Sequence, residues 1–136
     1  MRIGIDATLL ASRKSGIGYH VEYLLRALAA RGEFEELVLF SNREAVWDGV
    51  PPAGVREITK DRLPSRALWM QLRLRSRIAV EKPDLMHFPN YLAPLGLDHP
   101  YVVTVHDLAV LRHPEYFGWQ KRWLSRCSSA HCSRAQ

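Results

Sequence analysis

The sequence has few cysteines and no long apolar run, and both shortages restrict the class of protein. Cys127 and Cys132 are the only cysteines in 136 residues, and both stand in the last ten. They cannot join distant parts of a fold, so the chain is not a disulfide scaffold. The first apolar stretch is interrupted at Asp6, and no stretch approaches the roughly 20 apolar residues that cross a bilayer. We therefore expect a cytoplasmic protein without a signal peptide.

The sequence also lacks the residue spacings of metal centres and of activated nucleophiles. Its histidines are scattered, and the residue types that bind zinc do not recur at ligand spacing. No Ser-His-Asp or Cys-His order suggests a nucleophile with its base. Because zinc-binding residue types do not recur at ligand spacing, we predict no metal site. We also see no internal repeat and no low-complexity tract. The scattered histidines, apart from His106, are His20, His87, His99, His113 and His131.

Positive charge is in excess, with 19 basic residues against 14 acidic ones and a formal net charge of +5. Such a balance suits nucleic acid, an anionic membrane surface or a phosphorylated substrate, and the charge alone does not choose among them. The arginines between Arg62 and Arg77 form one group, and the basic residues from Lys121 to Arg134 form another. We expect the first group to be a solvated helix face, with a lipid-facing patch as the alternative, and nucleic acid is the less favoured partner. Peripheral contact with the inner face of a membrane stays open.

Hydrophobic periodicity predicts an alternation of strands and helices. One helical face carries Val21, Leu24, Leu25 and Leu28, and Gly32 follows as a stop signal. A second helix is predicted over residues 64–80, with Pro64 or Ser65 near its start and Leu68, Leu72 and Ala79 on its apolar side. Short, largely apolar runs predict strands at residues 2–5, 37–40, 84–88 and 101–105, and residues 55–58, with two charged residues, predict a weaker third strand between them.

This βαββαββ order predicts an α/β fold, because parallel neighbours need crossover connections. With 47% hydrophobic and 24% charged residues, the chain suits one globular domain. We therefore predict a single-domain, Rossmann-like, doubly wound parallel sheet. Residues 47–54 are too rich in glycine and proline to show a clear helix, so the crossover to the third strand is the least defined element.

Polar or small residues follow three of the predicted strands. Because ligands of open parallel sheets bind beyond the carboxyl ends of the strands, we expect these residues to line one crevice. Asp6 and the segment 15–19 follow the first strand, Asn90 follows the fourth, and His106 and Asp107 follow the fifth. Strands one, four and five are neighbours in the usual order.

Gly16 and Gly18 stand directly before the first predicted helix. Unpaired backbone amides and the helix dipole make that position suitable for a phosphate or a sugar hydroxyl, although an ordinary turn is the alternative. A dinucleotide site fits poorly, because Val21 occupies the third fingerprint position and no acidic residue ends the second strand.

The other crevice residues have structural alternatives. His106 could donate or accept a hydrogen bond to a ligand or be a buried residue with its hydrogen bonds satisfied; its place at the end of a strand favours the first role, and Asp107 could hold the chain turn. Asn90 could donate to a hydroxyl or form an ordinary turn with Pro89. Asp6 could bind a ligand or cap local backbone amides. Three aromatic residues, Trp69, Tyr91 and Trp119, suit either sugar stacking or the core.

Several stretches resemble bacterial family 4 glycosyltransferases, notably mannosyltransferase-like members that build surface polysaccharides. The resemblance runs through residues 2–7, 15–19 and 24–28, then 83–91, then 102–108 and 112–117. It implies a retaining transferase of the GT-B type, in which two Rossmann-like domains face each other across a cleft. The amino-terminal domain binds the acceptor, and the carboxyl-terminal domain binds a nucleotide-sugar donor.

The resemblance also implies site residues. His106 is predicted as the catalytic residue that contacts the transferred sugar. No cofactor or metal is expected, and a nucleotide sugar acts as co-substrate only if a second domain is supplied. The predicted substrate-binding residues are Gly16, Ile17, Gly18, Tyr19, Asn90 and Asp107.

The family's second domain carries a basic pair and a glutamate pair, and this sequence supplies neither. We predict an acceptor domain over residues 1–123, a divergent tail over 124–136 and no donor-binding domain, with a frameshifted or prematurely ended gene as the hypothesis. The expected function is half of a glycosyltransferase of polysaccharide biosynthesis, inactive alone. Its partners would be a sugar acceptor, lipid-linked or not, and a donor-domain chain in trans. The alternative is a non-catalytic basic binding module for nucleic acid or a membrane surface, or an inactive remnant.

Overall fold

Parallel strands form the centre of the computed structural model, which describes residues 1–11, 14–59, 63, 65–106 and 112. All neighbouring strands pair in parallel, in the order β3-β2-β1-β4-β5. Each strand overlaps one that the sequence predicts, so the Rossmann-like α/β prediction is confirmed. The strands of the described residues are β1 (Arg2–Asp6), β2 (Glu36–Ser41), β3 (Val55–Thr59), β4 (Leu85–Phe88) and β5 (Tyr101–Val103).

Helices provide two of the connections. Helix α1 (Gly16–Arg31) joins β1 to β2 and ends at Gly32, whose φ of 64° is the left-handed stop that the sequence predicts. A continuous helical run joins β3 to β4, and the Ser65 side chain caps its start by accepting from the Leu68 N–H at 3.4 Å. This run consists of α2 (Arg66–Trp69), a π-helical turn (Met70–Leu74) and α3 (Arg75–Glu81).

The connection from β2 to β3 contains no helix across residues 42–54, which are all described. It is held by hydrogen bonds from the Val46 N–H to the Leu10 carbonyl at 2.8 Å and from the Ala45 N–H to Glu57 at 2.7 Å. The strands nonetheless pair in parallel from Leu37 with Val55 onward. The glycine- and proline-rich stretch therefore makes the crossover as a loop.

The core lies on both faces of the sheet, because successive residues of a strand point to opposite sides. On one face, Ile3, Ile5 and Leu39 pack against Val21 and Leu25 of α1. On the other face, residues of β2 and β4 pack against the second helical run, in a cluster that includes Val38, Phe40, Met86 and Phe88 with Trp69, Leu74 and Ile78. The layers leave the carboxyl ends of the strands as the edge where connecting loops gather.

The predicted apolar side of the second helix is wrong. Leu68 and Leu72 are 53% and 63% exposed, and Ala79 is exposed as well. Trp69 and Leu74 are buried instead. They are five residues apart, a spacing that an α-helix turns away from one face but that a π-helical turn brings together. Trp69 is therefore a core residue and not a sugar platform.

Candidate functional site

The ends of β1, β4 and β5 lie side by side at the carboxyl edge of the sheet. β1 pairs with β4 from Ile3 and Leu85 onward, and β4 pairs with β5 from Met86 and Tyr101 onward. The prediction that strands one, four and five are neighbours is therefore confirmed. The loops after these strands and the start of α1 meet at this edge, which we call the carboxyl edge below.

His106 is fixed at the carboxyl edge by one hydrogen bond. Its Nε2 lies 2.8 Å from the carbonyl oxygen of Pro89, in the loop after β4. A carbonyl oxygen only accepts, so Nε2 must carry the proton, and Nδ1 of the neutral ring is then the acceptor. The residue is exposed. A ring held in this way can accept a hydrogen bond from a hydroxyl of a bound sugar.

His20 lies against His106, and sequence reasoning missed it. The two ring centroids are 5.1 Å apart with an interplanar angle of 87°, an edge-to-face contact. His20 is one helical turn after Gly16, at the i+4 spacing that places residues on the same side of a helix. The i+4 spacing from Gly16 is the sequence signal that could have identified His20 as a neighbour of the site. The contact brings the first turn of α1 to the loop that carries His106.

His87 joins β4 to the segment after β5. Its Nε2 lies 2.7 Å from the Thr104 hydroxyl, and the Thr104 backbone N–H donates to the Phe88 carbonyl at 2.9 Å. Burial lowers the pKa of His87 below its ordinary 6.5, and the nearby His20 adds to that lowering while the Asp6 carboxylate opposes it. The neutral ring is favoured, so His87 acts as a support between the two strands.

Asn90 and Gly18 are the buried residues among the predicted substrate-binding residues that the structure describes. Asn90 is 8% exposed, and its Oδ1 is buried without a hydrogen-bond partner in the described part of the chain. An unpaired buried amide oxygen costs free energy, so such groups mark sites where another donor is needed. Asn90 is the next residue after Pro89, whose carbonyl oxygen is hydrogen-bonded to His106.

The segment 15–19 divides into residues that face outward and residues that pack inward. Gly16 has open space where a Cβ would be, and Tyr19 is 43% exposed. Gly18 instead lies 3.2 Å, measured from an ideal Cβ, from the Leu9 carbonyl oxygen, and Ile17 packs against the core. Packing alone therefore explains glycine at position 18, whereas Gly16 leaves the start of α1 open to a ligand.

Asp6 is used inside the fold. The residue is 1% exposed, and its carboxylate accepts from the Thr8 N–H at 3.1 Å and from the Thr8 hydroxyl at 2.6 Å. Arg66 donates from Nη2 to Asp6 at 2.9 Å and from Nε to the Thr8 hydroxyl at 2.5 Å. Of the two roles open from the sequence, the structural one accounts for its contacts.

Several residues named from the sequence cannot be placed, because they lie outside the described residues. Asp107, Trp119 and both cysteines are outside. Within the described residues, no group of three or more His, Cys, Asp or Glu side chains could hold a metal ion. In the same part of the chain, no helix has both the length and the apolar character to cross a bilayer.

The sequence matches a known family over most of its length. The sequence model described as Glycosyltransferase Family 4 matches residues 14–136. No curated protein and no solved structure matches the chain. The match continues through residues 124–136, so the boundary predicted at residue 123 stays a prediction. With a parallel Rossmann-like sheet and a family match that spans nearly the whole sequence, the chain belongs to glycosyltransferase family 4.

Proposed function

We propose that this chain is the acceptor-side, amino-terminal domain of a retaining GT-B glycosyltransferase and that it works only with a donor-binding domain. The observation that carries the proposal is the position of His106. Its ring is held by the Pro89 carbonyl and packs against His20 at the start of α1. A hydrogen-bonding ring, an open helix start and the buried Asn90 thus lie at one edge of the sheet.

In this proposal His106 contacts the sugar that is transferred. The Nδ1 atom of the neutral ring accepts a hydrogen bond from a sugar hydroxyl, since Nε2 is committed to Pro89. The backbone amides at the start of α1 favour a negatively charged group through the helix dipole, and the open side of Gly16 admits it. Amides aimed at a leaving diphosphate stabilise its charge as the bond breaks. The diphosphate then assists deprotonation of the acceptor in a same-face transfer.

We also propose an acceptor that is lipid-linked or part of a polysaccharide, in a cytoplasmic protein that contacts the inner face of the membrane. The second helical run supports this. Leu68, Leu72 and Val80 are exposed there, and Arg73 and Arg75 are exposed beside them. Apolar side chains flanked by arginines suit an interface between lipid headgroups and acyl chains.

A basic module for nucleic acid is less well supported, because several arginines are already paired. Arg66 binds Asp6, and Arg56 binds both Glu36 and Glu81. Nucleic-acid affinity would depend on the remaining exposed arginines and would fall steeply with salt. Replacing Arg73 and Arg75 by glutamine should abolish such binding, whereas sugar binding at the carboxyl edge should be insensitive to both salt and substitution.

The test is an NMR titration of the isotope-labelled chain with three probes: farnesyl phosphate, methyl α-mannoside and GDP-mannose. Farnesyl phosphate, whose anionic group suits the amides at the start of α1, should shift the Gly16 signal, and the mannoside, which stands for the transferred sugar, should shift the signals of Asn90 and His106. His106→Gln should weaken that binding, and His99→Gln, away from the carboxyl edge, is the matched control. GDP-mannose should bind far more weakly than it does to a complete enzyme, and the chain alone should show no turnover.

Two results would overturn the proposal. If neither farnesyl phosphate nor the mannoside shifts signals at the carboxyl edge, the assignment of a substrate site to this edge is wrong. If GDP-mannose binds with micromolar affinity, the donor site is not confined to another domain.

A further inference from the structure

A buried ion pair lies directly behind the segment 15–19. Lys14 and Glu22 are joined by a hydrogen bond between Nζ and Oε2, and their side chains are 6% and 2% exposed. Glu22 belongs to α1, whereas Lys14 precedes the helix. Charged side chains are seldom buried unless each has a partner, so this pair determines where Lys14 lies.

Glu22 has further partners that fix its own position. Its Oε1 accepts from Nη2 of Arg26 at 2.6 Å and from the Asp48 N–H at 3.1 Å. Arg26 in turn donates to the carbonyl oxygens of Asp48 at 2.7 Å and Val50 at 2.9 Å. Glu22 therefore stands at the junction of three segments: the residues before α1, the helix itself and the β2–β3 connection.

Lys14 connects Glu22 to the segment 15–19 through packing contacts. Its Cβ and Cγ lie 3.2 and 3.3 Å from where a Cβ of Gly18 would be, and its Nζ lies 5.7 Å from the centroid of the Tyr19 ring. The lysine stem thus packs against the first turn of α1 while its charge is held by Glu22. Ser15, the residue before the helix, makes no side-chain hydrogen bond that caps it. The contacts of Lys14 therefore replace a cap in setting the path of the chain.

We propose that Glu22 is a positioning residue for substrate binding: by holding Lys14, it sets the direction of the Gly16 and Gly18 amides at the carboxyl edge. The proposal deepens the function proposed above and rests on it for the statement that this segment binds substrate. The ammonium group of Lys14 is paired with Glu22. The segment 15–19 therefore offers a ligand its backbone amides and not the charge of Lys14. Its first step, the coupling from Glu22 through Lys14 to the glycines, is independent of any ligand.

The experiment uses four variants of the whole chain and compares their ¹⁵N–¹H spectra without ligand. Glu22→Gln removes the charge and keeps the shape, and Lys14→Met removes the cation and keeps the stem. Both should shift the Gly16 and Gly18 amide signals and lower their heteronuclear NOE values, while amides of β1 and β4 keep their positions. Lys14→Arg preserves a cation for Glu22 and should retain the wild-type glycine signals. The matched control is Glu33→Gln, whose exposed ion pair with Arg31 lies at the other end of α1.

The four spectra decide the proposal even if one variant does not fold, because Glu22→Gln and Lys14→Met test the same link from opposite ends. Unmoved glycine signals in either folded variant would overturn it, and so would shifts spread evenly over the sheet. A titration with farnesyl phosphate is the second stage: affinity should fall roughly tenfold in Glu22→Gln and in Lys14→Met. If the glycine signals move but the wild-type chain does not bind the probe, the proposed function fails while the coupling stands.

Discussion

Asp6 at the end of β1 and Arg66 at the start of α2 form a hydrogen-bonded ion pair across 60 residues of chain, with Nη2 and Oδ2 2.9 Å apart. Thr8 completes the arrangement, since its hydroxyl donates to Asp6 and accepts from Arg66. The carboxylate is almost fully buried, and the arginine is 26% exposed at its side chain. The pair therefore fastens the helix after β3 to the strand at the centre of the sheet.

Asp6→Asn should destabilise the chain by about 3 kcal/mol, because it leaves the partly buried guanidinium of Arg66 without its carboxylate. The amide oxygen can still accept from Thr8, so the loss comes from the ion pair. Urea unfolding followed by circular dichroism measures the change in the free energy of unfolding. Glu33→Gln removes an exposed ion pair and should cost less than about 1 kcal/mol. Equal effects of the two substitutions would show that Asp6 is not a structural residue.

Gly18→Ala and Gly16→Ala should have different effects, although both place alanine in the first turn of α1. A Cβ at position 18 would lie 3.2 Å from the Leu9 carbonyl oxygen, and backbone cannot move aside as a flexible side chain can. We expect a loss of about 1 kcal/mol there. Position 16 has open space, so its stability should change by less than about 0.5 kcal/mol.

Thermal unfolding of the two alanine variants checks this comparison. The same variants separate packing from ligand approach, because Gly16→Ala should weaken binding of farnesyl phosphate without weakening the fold. A stable Gly18→Ala variant would show that the close approach to Leu9 is not the reason for glycine at that position.

Leu74→Ala should cost about 3 kcal/mol and Leu72→Ala less than about 0.5 kcal/mol. The two leucines are two residues apart in the π-helical turn, but Leu74 is fully buried and Leu72 is 63% exposed. Chemical denaturation of the pair tests which face of this helical run meets the sheet. The reverse order of the two losses would restore the face that the spacing of Leu68, Leu72 and Ala79 predicts.

The sequence pattern predicted the central strands because β1 and β2 are short apolar runs buried on the sheet, and Gly32 marked the end of α1. It failed at the second helical run, because Leu68 and Leu72 have the same i+4 spacing as Met70, Leu74 and Ile78, and it is the second set that is buried. Which of two helical faces is buried depends on packing against the sheet, a tertiary effect that no local window contains. Fold class and strand order were therefore predictable, whereas the buried face of one helix was not.

The candidate site was also predictable only in part: its location followed from the sequence, whereas its side-chain contacts did not. The rule that ligands lie beyond strand ends led to His106, Asn90 and the segment 15–19, since it needs only strand positions. It could not show that Asp6 is bonded to Arg66, or that His20 packs on His106. Those contacts join residues far apart in sequence, and their partners become visible only when the chain is folded. The Lys14–Glu22 pair was missed although only eight residues separate the two. The sequence does not show that both side chains are buried, and burial is what distinguishes this pair from an ordinary surface ion pair.

Stability should fall as the pH is lowered from 7.5 to 5.5, with His87 as one contributor. The pKa of His87 in the folded chain is below its ordinary 6.5, first because of burial and second because of the charge of His20. The unfolded chain therefore takes up this proton more readily than the folded one. The contribution of His87 is fully present above about pH 6.5 and is lost as the pH falls through that value towards the lower folded pKa.

Two variants assign that pH dependence. His87→Gln keeps a group that can bond the Thr104 hydroxyl but does not titrate, so its free energy of unfolding should fall less steeply between pH 7.5 and 5.5 than that of the wild type. His20→Gln removes the second cause of the lowered pKa and should reduce the slope partly, since burial remains. Urea unfolding at several pH values measures both slopes. Wild-type slopes in both variants would show that the proton is taken up elsewhere, and a larger effect of His20→Gln than of His87→Gln would place the titrating group on α1.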